Sequence, residues 1–412
     1  MEVLKSKFRL TSPWTQNFIS GIILFLTVGI YLAVIGLGAG GGKPSSAHVA
    51  TITYTSIYAV FAVTGFFGGS IMNTIGPRRT MTRQIREHTS RGSFFCSLSD
   101  QPSAHLWPYG ISINETGLTG VPTSVYLTFI IIMSSAIILS LLAIQSPQNI
   151  VRDDGTHLAI FEATDIRTEV KGCIMLMKDW KIVALIVPMI ATEMSSALIP
   201  TLSAYAFNLR TRSLNSVIFW AVQIPSTFLY SLVLDNNRFS RRVRGIMALT
   251  IAASVVVVSW ALALKIQVQH QLRRDLPSPD WDWTDSQYGE FSAMLIFTGI
   301  AYAIDQMIVM WVISAFSNEP RLLARYGGFF KGMLSAGLCI AFGLESGGVS
   351  YLNQTIIQST LTVVSFPIMY FLVIKCVKET NYFTEATVIP PEYTGIQKSQ
   401  ASAQETELGK SF

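Results

Sequence analysis

The sequence predicts an all-α polytopic membrane protein, and three observations lead there. Half of its 412 residues are hydrophobic and only 13% are charged, where a water-soluble chain carries about a quarter charged residues. The apolar residues collect in runs of roughly 20, the length a helix needs to cross the hydrocarbon core. Short basic turns separate several of these runs, and Lys and Arg in such turns resist translocation and so mark the cytoplasmic side. With a mean hydropathy of +0.43, lipid must solvate much of the surface. The chain reads as an integral, multi-pass protein whose first partner is the lipid bilayer.

The first run, about Asn17 to Leu37, follows Lys5, Lys7 and Arg9. A signal peptide has a shorter apolar core and a small-residue cleavage site, so this run reads as a retained span. The Gly36–Gly42 stretch after it matches G-x-G-x-x-G. A dinucleotide site needs a strand before that pattern and a helix after it, so here it reads as an extracytoplasmic turn. The second run, about Val49 to Ile75, carries Gly65, Gly68 and Gly69, which let a neighbouring helix approach closely. Arg78, Arg79, Arg83, Arg86 and Arg91 then form a basic turn.

From Gly92 to Pro122 the pattern fails, because Pro102, Pro108 and many serines make a poor helix. Asn114-Glu115-Thr116 is a glycosylation acceptor if it faces the lumen. A third clear run covers Ser124 to Ile144. Residues 147–181 are polar and open with Arg152-Asp153-Asp154-Gly155, a turn signal. In that stretch Ile160, Phe161, Ala163, Ile166, Val170, Ile174 and Met177 recur at helical spacing, with Glu162, Asp165, Glu169 and Lys171 between them. This predicts an amphipathic helix along the membrane surface.

Six more runs follow, at about Ile182–Phe207, Leu214–Leu234, Gly245–Lys265, Phe291–Phe316, Gly327–Glu345 and Gln354–Lys375. That gives about nine clear spans, with residues 92–113 a weak tenth. The chain divides into an amino-terminal helical half (1–146), a cytoplasmic central loop (147–181), a carboxyl-terminal six-helix half (182–378) and a disordered tail (379–412). Trp281 and Trp283, in the loop from Gln267 to Glu290, suit an interface belt outside. Counting basic turns leaves one conflict. Between Arg91 and Arg152 only one clear span is present, yet both sites carry cytoplasmic signals. A crossing by residues 92–113 removes the conflict and puts Asn114 in the lumen.

The net charge of +5 sits mostly in short turns, which excludes nucleic acid as a partner. Cys96, Cys173, Cys339 and Cys376 lie far apart with no C-x-x-C pair, so neither a metal site nor a disulfide framework follows. No H-E-x-x-H, G-x-S-x-G or Walker pattern is present, and the sequence implies neither an enzyme nor a cofactor. Ionisable groups at membrane depth are costly and mark function by default. Glu193 and Asp305, the latter beside Gln306, lie deep in their runs, and Gln223 is central in its own, just before Pro225. They are candidates for solute contact or proton coupling; the competing reading is a hydrogen-bonded carboxyl that ties helices together. Lys331 and Glu345, near opposite ends of one run, can snorkel.

Two turns carry a resemblance. Gly69-x-x-x-Asn73-x-x-Gly76-Pro77-Arg78-Arg79 resembles the loop between the second and third helices of major facilitator transporters. Leu234-Asp235-x-x-Arg238-x-Ser240-Arg241-Arg242-x-Arg244-Gly245 resembles its counterpart between the eighth and ninth. Further stretches, among them Asn208-Leu209-Arg210-Thr211-Arg212, Trp281-Asp282-Trp283-Thr284-Asp285 and Ala324-Arg325-Tyr326-x-Gly328, are similar to the fungal uncoordinated-93-like branch of that superfamily. The resemblance covers about Asn17 to Arg79 and Val121 to Phe383. It implies twelve helices in two repeated halves with solute between them. This chain lacks recognisable third, fourth and most of the fifth helix, so the expected fold is an incomplete major-facilitator-like one with a truncated amino-terminal half.

By the same resemblance, Asn73, Arg78, Arg79, Asp235, Arg241, Arg242 and Arg244 are expected to gate the cytoplasmic side. The implied function is secondary transport of an unknown small solute, with proton coupling as a candidate. The alternative is a non-transporting accessory or regulatory protein with a membrane-protein partner, since animal relatives regulate channels or escort receptors.

Overall fold

The computed structural model describes residues 10, 12–24, 26, 35, 47–75, 123–143, 165–379 and 381. Among the described residues the chain is helical, without a strand. The helices are α1 (Pro13–Leu24), α2 (Ala47–Phe66), α3 (Gly68–Ile75), α4 (Thr123–Ala143), α5 (Ile166–Leu176), α6 (Trp180–Ala184) and α7 (Ile186–Ala206). They continue with α8 (Leu209–Ala221), α9 (Gln223–Leu234), α10 (Arg241–Gln269), α11 (Tyr288–Ser314), α12 (Pro320–Ser346) and α13 (Tyr351–Cys376).

Seven helical stretches among the described residues are long and apolar enough to cross a membrane: α2, α6 with α7, α8 with α9, and α10 to α13. α1 and α4 fall on the first and third apolar runs; residues 92–113, the central loop up to residue 164 and the tail beyond residue 381 lie outside the described residues. α6–α7 and α8–α9 are two spans, each broken once by a proline. Pro188 and Pro225 lack the N–H that would bond four residues back, and each ring crowds that carbonyl. The breaks fall accordingly at Ala184 and Ala221, the last residues of α6 and α8.

Side chains cap the helix starts. Asn208, Ser240 and Ser350 accept from the backbone N–H groups of Thr211, Val243 and Asn353, satisfying donors that open a helix. The ends are neutralised by the basic turn. Arg244 donates to the Leu234 carbonyl (2.9 Å), Arg241 to that of Ser314 (3.4 Å) and Arg242 to that of Val377 (3.5 Å). Three arginines thus cover the carboxyl ends of α9, α11 and α13, where the helix dipole favours cations. α10 runs from Arg241 to Gln269, longer than the apolar run, because capped polar residues extend it at both ends.

The carboxyl-terminal half, α6 to α13, shares one core built around Leu185, Met189, Leu198, Leu202, Leu249, Phe291 and Phe329. Hydrogen bonds between helices hold it where no water competes, as between Ser259 and Thr298 (2.8 Å) and between Gln267 and Thr355 (2.5 Å). The amino-terminal half meets it chiefly where α2 lies along α12. There the backbones touch: a Cβ on Gly332 would come 2.8 Å from the Phe66 nitrogen, and one on Gly328 would come 2.6 Å from the Gly69 nitrogen. Gly65 and Gly69 are used as the sequence predicts.

Two expectations change. The loop after α10 is not merely an aromatic belt. Trp281 packs edge-on against Phe207 (ring centroids 5.7 Å apart), and its backbone exchanges hydrogen bonds with Ala206 and Asn208, so the loop is sewn to the α7–α8 turn. The amphipathic helix α5 begins at Ile166, and its Glu169 is buried, while Val170, Ile174 and Met177 are exposed.

Candidate functional site

Glu193, on α7, faces α11. Tyr302 and Gln306 lie one turn apart on α11 and therefore on one face. Tyr302 Oη donates to Glu193 Oε1 at 3.0 Å, and Gln306 Nε2 donates to Oε2. Tyr302 and Gln306 are buried and Glu193 is half-buried, while the charge of Lys331 on α12 acts on the carboxylate through space. The group is thus held on both oxygens.

The Tyr302 ring continues the site. It packs against Phe219 and Trp220, with centroids 5.6 and 5.8 Å away. Those two rings line a cavity together with Ser196, Ser203, Asn215, Tyr58, Ile35 and Leu338. Tyr58 and Ile35 come from the amino-terminal half and the rest from α7, α8 and α12, so the cavity straddles the two halves. Its volume is about 20 Å³, room for a water molecule or two. Asn215 donates to Ser203 Oγ at 2.9 Å, and its Oδ1 is buried without a hydrogen-bond partner. Pro200, inside α7, also lines the space and leaves the carbonyl four residues back without its helical donor.

The other deep polar candidates sit elsewhere. Asp305 is next to Gln306 in sequence but about 100° around the helix, on the side of Tyr230; it is 3% exposed, and its Oδ1 has no hydrogen-bond partner. Gln223 opens α9; its amide donates to the Phe219 carbonyl (3.1 Å), and its own Oε1 is unpartnered. Of the four candidates, only Glu193 and Gln306 meet. Tyr302, Phe219 and Trp220 join the site without having been singled out, and Asn215 without having been a site candidate, because a tyrosine or asparagine in an apolar run gives no sign of which face it occupies.

Near the end of α2 the central helix α5 is joined to the carboxyl-terminal half by a charged contact. Arg325, on α12, donates twice to the Glu169 carboxylate, at 3.0 and 2.8 Å, and Gly172 leaves room for its guanidinium. Beside them Ser70 Oγ lies 2.9 Å from Cys173 Sγ, and burial pushes that thiol up. α5 therefore clasps α3 and α12 together. Sequence reasoning placed Glu169 on a helix but could not pair it with an arginine 156 residues away. Of the expected gating residues, Asp235 ends α9, and Arg241, Arg242 and Arg244 cap helices of their own half. Arg78, Arg79, Asn114 and the side chain of Asn73 lie outside the described residues.

No family model matches the chain. An uncharacterised membrane protein of Schizosaccharomyces pombe is 35% identical over 394 residues, covering 83% of this chain and 80% of that protein. UNC93-like protein 1 of Arabidopsis thaliana is 26% identical, covering 92% of this chain and 93% of its own length. That alignment runs over 434 positions, more than the 412 residues present here, so the plant protein has segments without counterpart in this chain. Among solved structures, a D-xylose–proton symporter superposes with a TM-score of 0.54 at 12% identity, over 89% of this chain and 97% of its own. At that identity the likeness concerns the fold alone.

Proposed function

We propose that this chain, which belongs to the UNC93-like branch of major-facilitator-type membrane proteins, carries a small solute across the bilayer by alternating access. The observation that carries the reading is the Glu193–Tyr302–Gln306 cluster. A carboxylate at membrane depth is held by two donors, and the ring of one of them, Tyr302, packs against Phe219 and Trp220, which line a cavity between the two halves. Such a group is costly to keep in the membrane and suits the recognition of a cation, a hydroxyl-bearing solute or a proton. On this reading the small volume is that of a closed state, in which α2 and α12 meet through their glycines and the Arg325–Glu169 pair acts as a latch. Opening separates α2 from α12 and widens the cavity beside Tyr58 and Trp220.

The test is flux in proteoliposomes containing the full chain, with an imposed pH gradient and a panel of labelled sugars, nucleosides, amino acids and organic cations. Uptake of one class, reduced at least about tenfold by Glu193→Gln, supports the reading. That loss corresponds to roughly 1.4 kcal/mol at the transition state, within what one charge-assisted hydrogen bond contributes. The segments missing relative to the plant protein support a second reading, a transporter-derived accessory protein. No flux of any class, with a membrane protein co-purifying stoichiometrically, would establish that one instead.

A further inference from the structure

Helix α5 has two faces of different character. The inward face carries Glu169, Gly172, Cys173 and Leu176 and meets α3 and α12. The outward face carries Arg167, Lys171 and Lys178 around Val170, Ile174 and Met175, and these six residues line one open groove. Its apolar members are bare: Val170 is 38% exposed, Ile174 55% and Met175 56%. Each would lose free energy to water on that surface. The groove has cations and no anion, since Glu169 is turned inward onto Arg325 and Asp179 caps α6 beside Lys181. Asp165 lies on the far side of the helix by its spacing.

The surroundings say what covers this face. Exposed apolar residues continue along the chain, with Met177 after α5 and Trp180 and Val183 in the α6–α7 span. The lipid that surrounds that span therefore reaches α5 without interruption. α5 also packs against α3, just before the Arg78–Arg91 turn, so its three cations sit at the end of the bundle marked by basic turns. We infer that the outward face of α5 is a docking surface for anionic phospholipid headgroups. Val170, Ile174 and Met175 enter the acyl boundary, and Arg167, Lys171 and Lys178 hold the phosphates. The inference does not depend on transport.

Trp180 sits next to the groove and provides the readout. The full chain is reconstituted in phosphatidylcholine bilayers containing about a fifth phosphatidylserine, with brominated acyl chains on one lipid or the other. Quenching of Trp180 is taken as the difference between the parent and Trp180→Phe. The expected result is severalfold more quenching per mole of brominated phosphatidylserine than of brominated phosphatidylcholine, since each base near the surface favours anionic lipid about fivefold. Arg167→Gln, Lys171→Gln and Lys178→Gln together should bring the two lipids level while quenching by phosphatidylcholine persists, which shows Trp180 still in the bilayer. Equal quenching in the parent, or selectivity that survives the triple variant, overturns the inference. So does selectivity abolished by millimolar inorganic phosphate but not by chloride at equal ionic strength, which would assign the groove to a soluble anion.

Discussion

Asp282 accepts hydrogen bonds from the side chains of Asn208, Arg210, Thr211 and Thr284, and Arg210 reaches both of its oxygens. Arg210 first, and then the neutral donors, hold its carboxyl well below the usual carboxylate range. The same loop continues the knot, with Trp283 N–H donating to Thr211 Oγ1 at 3.0 Å and Asp285 accepting from Asp282 N–H at 2.8 Å. Asp282→Asn keeps the shape but loses the charge on a partly exposed pair, and should lower stability by about 1–3 kcal/mol. Thermal unfolding of the detergent-solubilised chain checks this as a drop in Tm. The pH dependence has a definite sign. A depressed folded pKa stabilises fully above the unfolded value of about 3.9 and is lost as pH falls toward the folded one. The gap between parent and Asp282→Asn should therefore be constant from pH 7 to about 5 and shrink below about 4. A gap that grows on acidification would sink the assignment. Both stretches of this knot stand out in the sequence as motifs. Their pairing does not, because they lie some 70 residues apart and only the fold shows that the α7–α8 turn and the α10–α11 loop occupy one end.

α5 and the α2–α12 seam are the elements on which opening would turn. Helical spacing in residues 166–177 establishes two faces but not which one meets protein. The apolar set was expected to be the buried one in the membrane surface, and the charged set to be solvated. Glu169 reverses that for one residue, because a bidentate arginine compensates the burial of its charge. Glu169→Gln leaves the Arg325 guanidinium without its counter-charge in a buried site, a change that costs about 3–5 kcal/mol where a pair is fully enclosed; Arg325 is 18% exposed, so the lower end applies. The double exchange Glu169→Arg with Arg325→Glu should recover part of the lost Tm, whereas a purely steric role for Glu169 predicts no recovery. The glycines make a complementary prediction. Gly65, Gly69, Gly328 and Gly332 bring two backbones into contact, and that seam was legible because small residues at helical spacing have few other uses in a membrane helix. Gly328→Leu forces α12 off α2 at the latch. It should raise the accessibility of a cysteine placed at Ser196 to a membrane-impermeant maleimide at least several-fold; unchanged labelling would show that the seam does not govern access to the cavity.

At the scale of the whole molecule, the spans of the carboxyl-terminal half were legible because each is a run of bilayer length ended by polar caps. Their packing was not, since a lipid-facing Leu229 and a core Leu249 read alike in sequence. The amino-terminal half poses a question of parity that the structure sharpens. Ser70 lies 2.9 Å from Cys173, and α5 packs on α3, so the end of the second span and the central helix are on the same side of the membrane. The chain between Ile75 and Asp165 must then cross an even number of times. We take α4 as one crossing: it carries no charged residue, and Leu127, Ile130, Ile131, Ile138 and Leu142 are exposed, as lipid contact requires. With α4 as one crossing, we predict a second, and residues 92–113 are the stretch proposed for it from the sequence, despite Pro102 and Pro108. On that proposal Asn114 would emerge on the side opposite the basic turns and meet the glycosylation machinery. Expressed in a glycosylating host, the full chain should run as a larger species that collapses on endoglycosidase treatment, and Asn114→Gln should remove the shift. A parent chain that is never glycosylated there, while an acceptor sequon inserted in the Gln267–Glu290 loop is, would place both ends of residues 92–113 on the cytoplasmic side. In that case α4 could not cross fully, and the docking of α5 beside α3 would have to be reached by a re-entrant path.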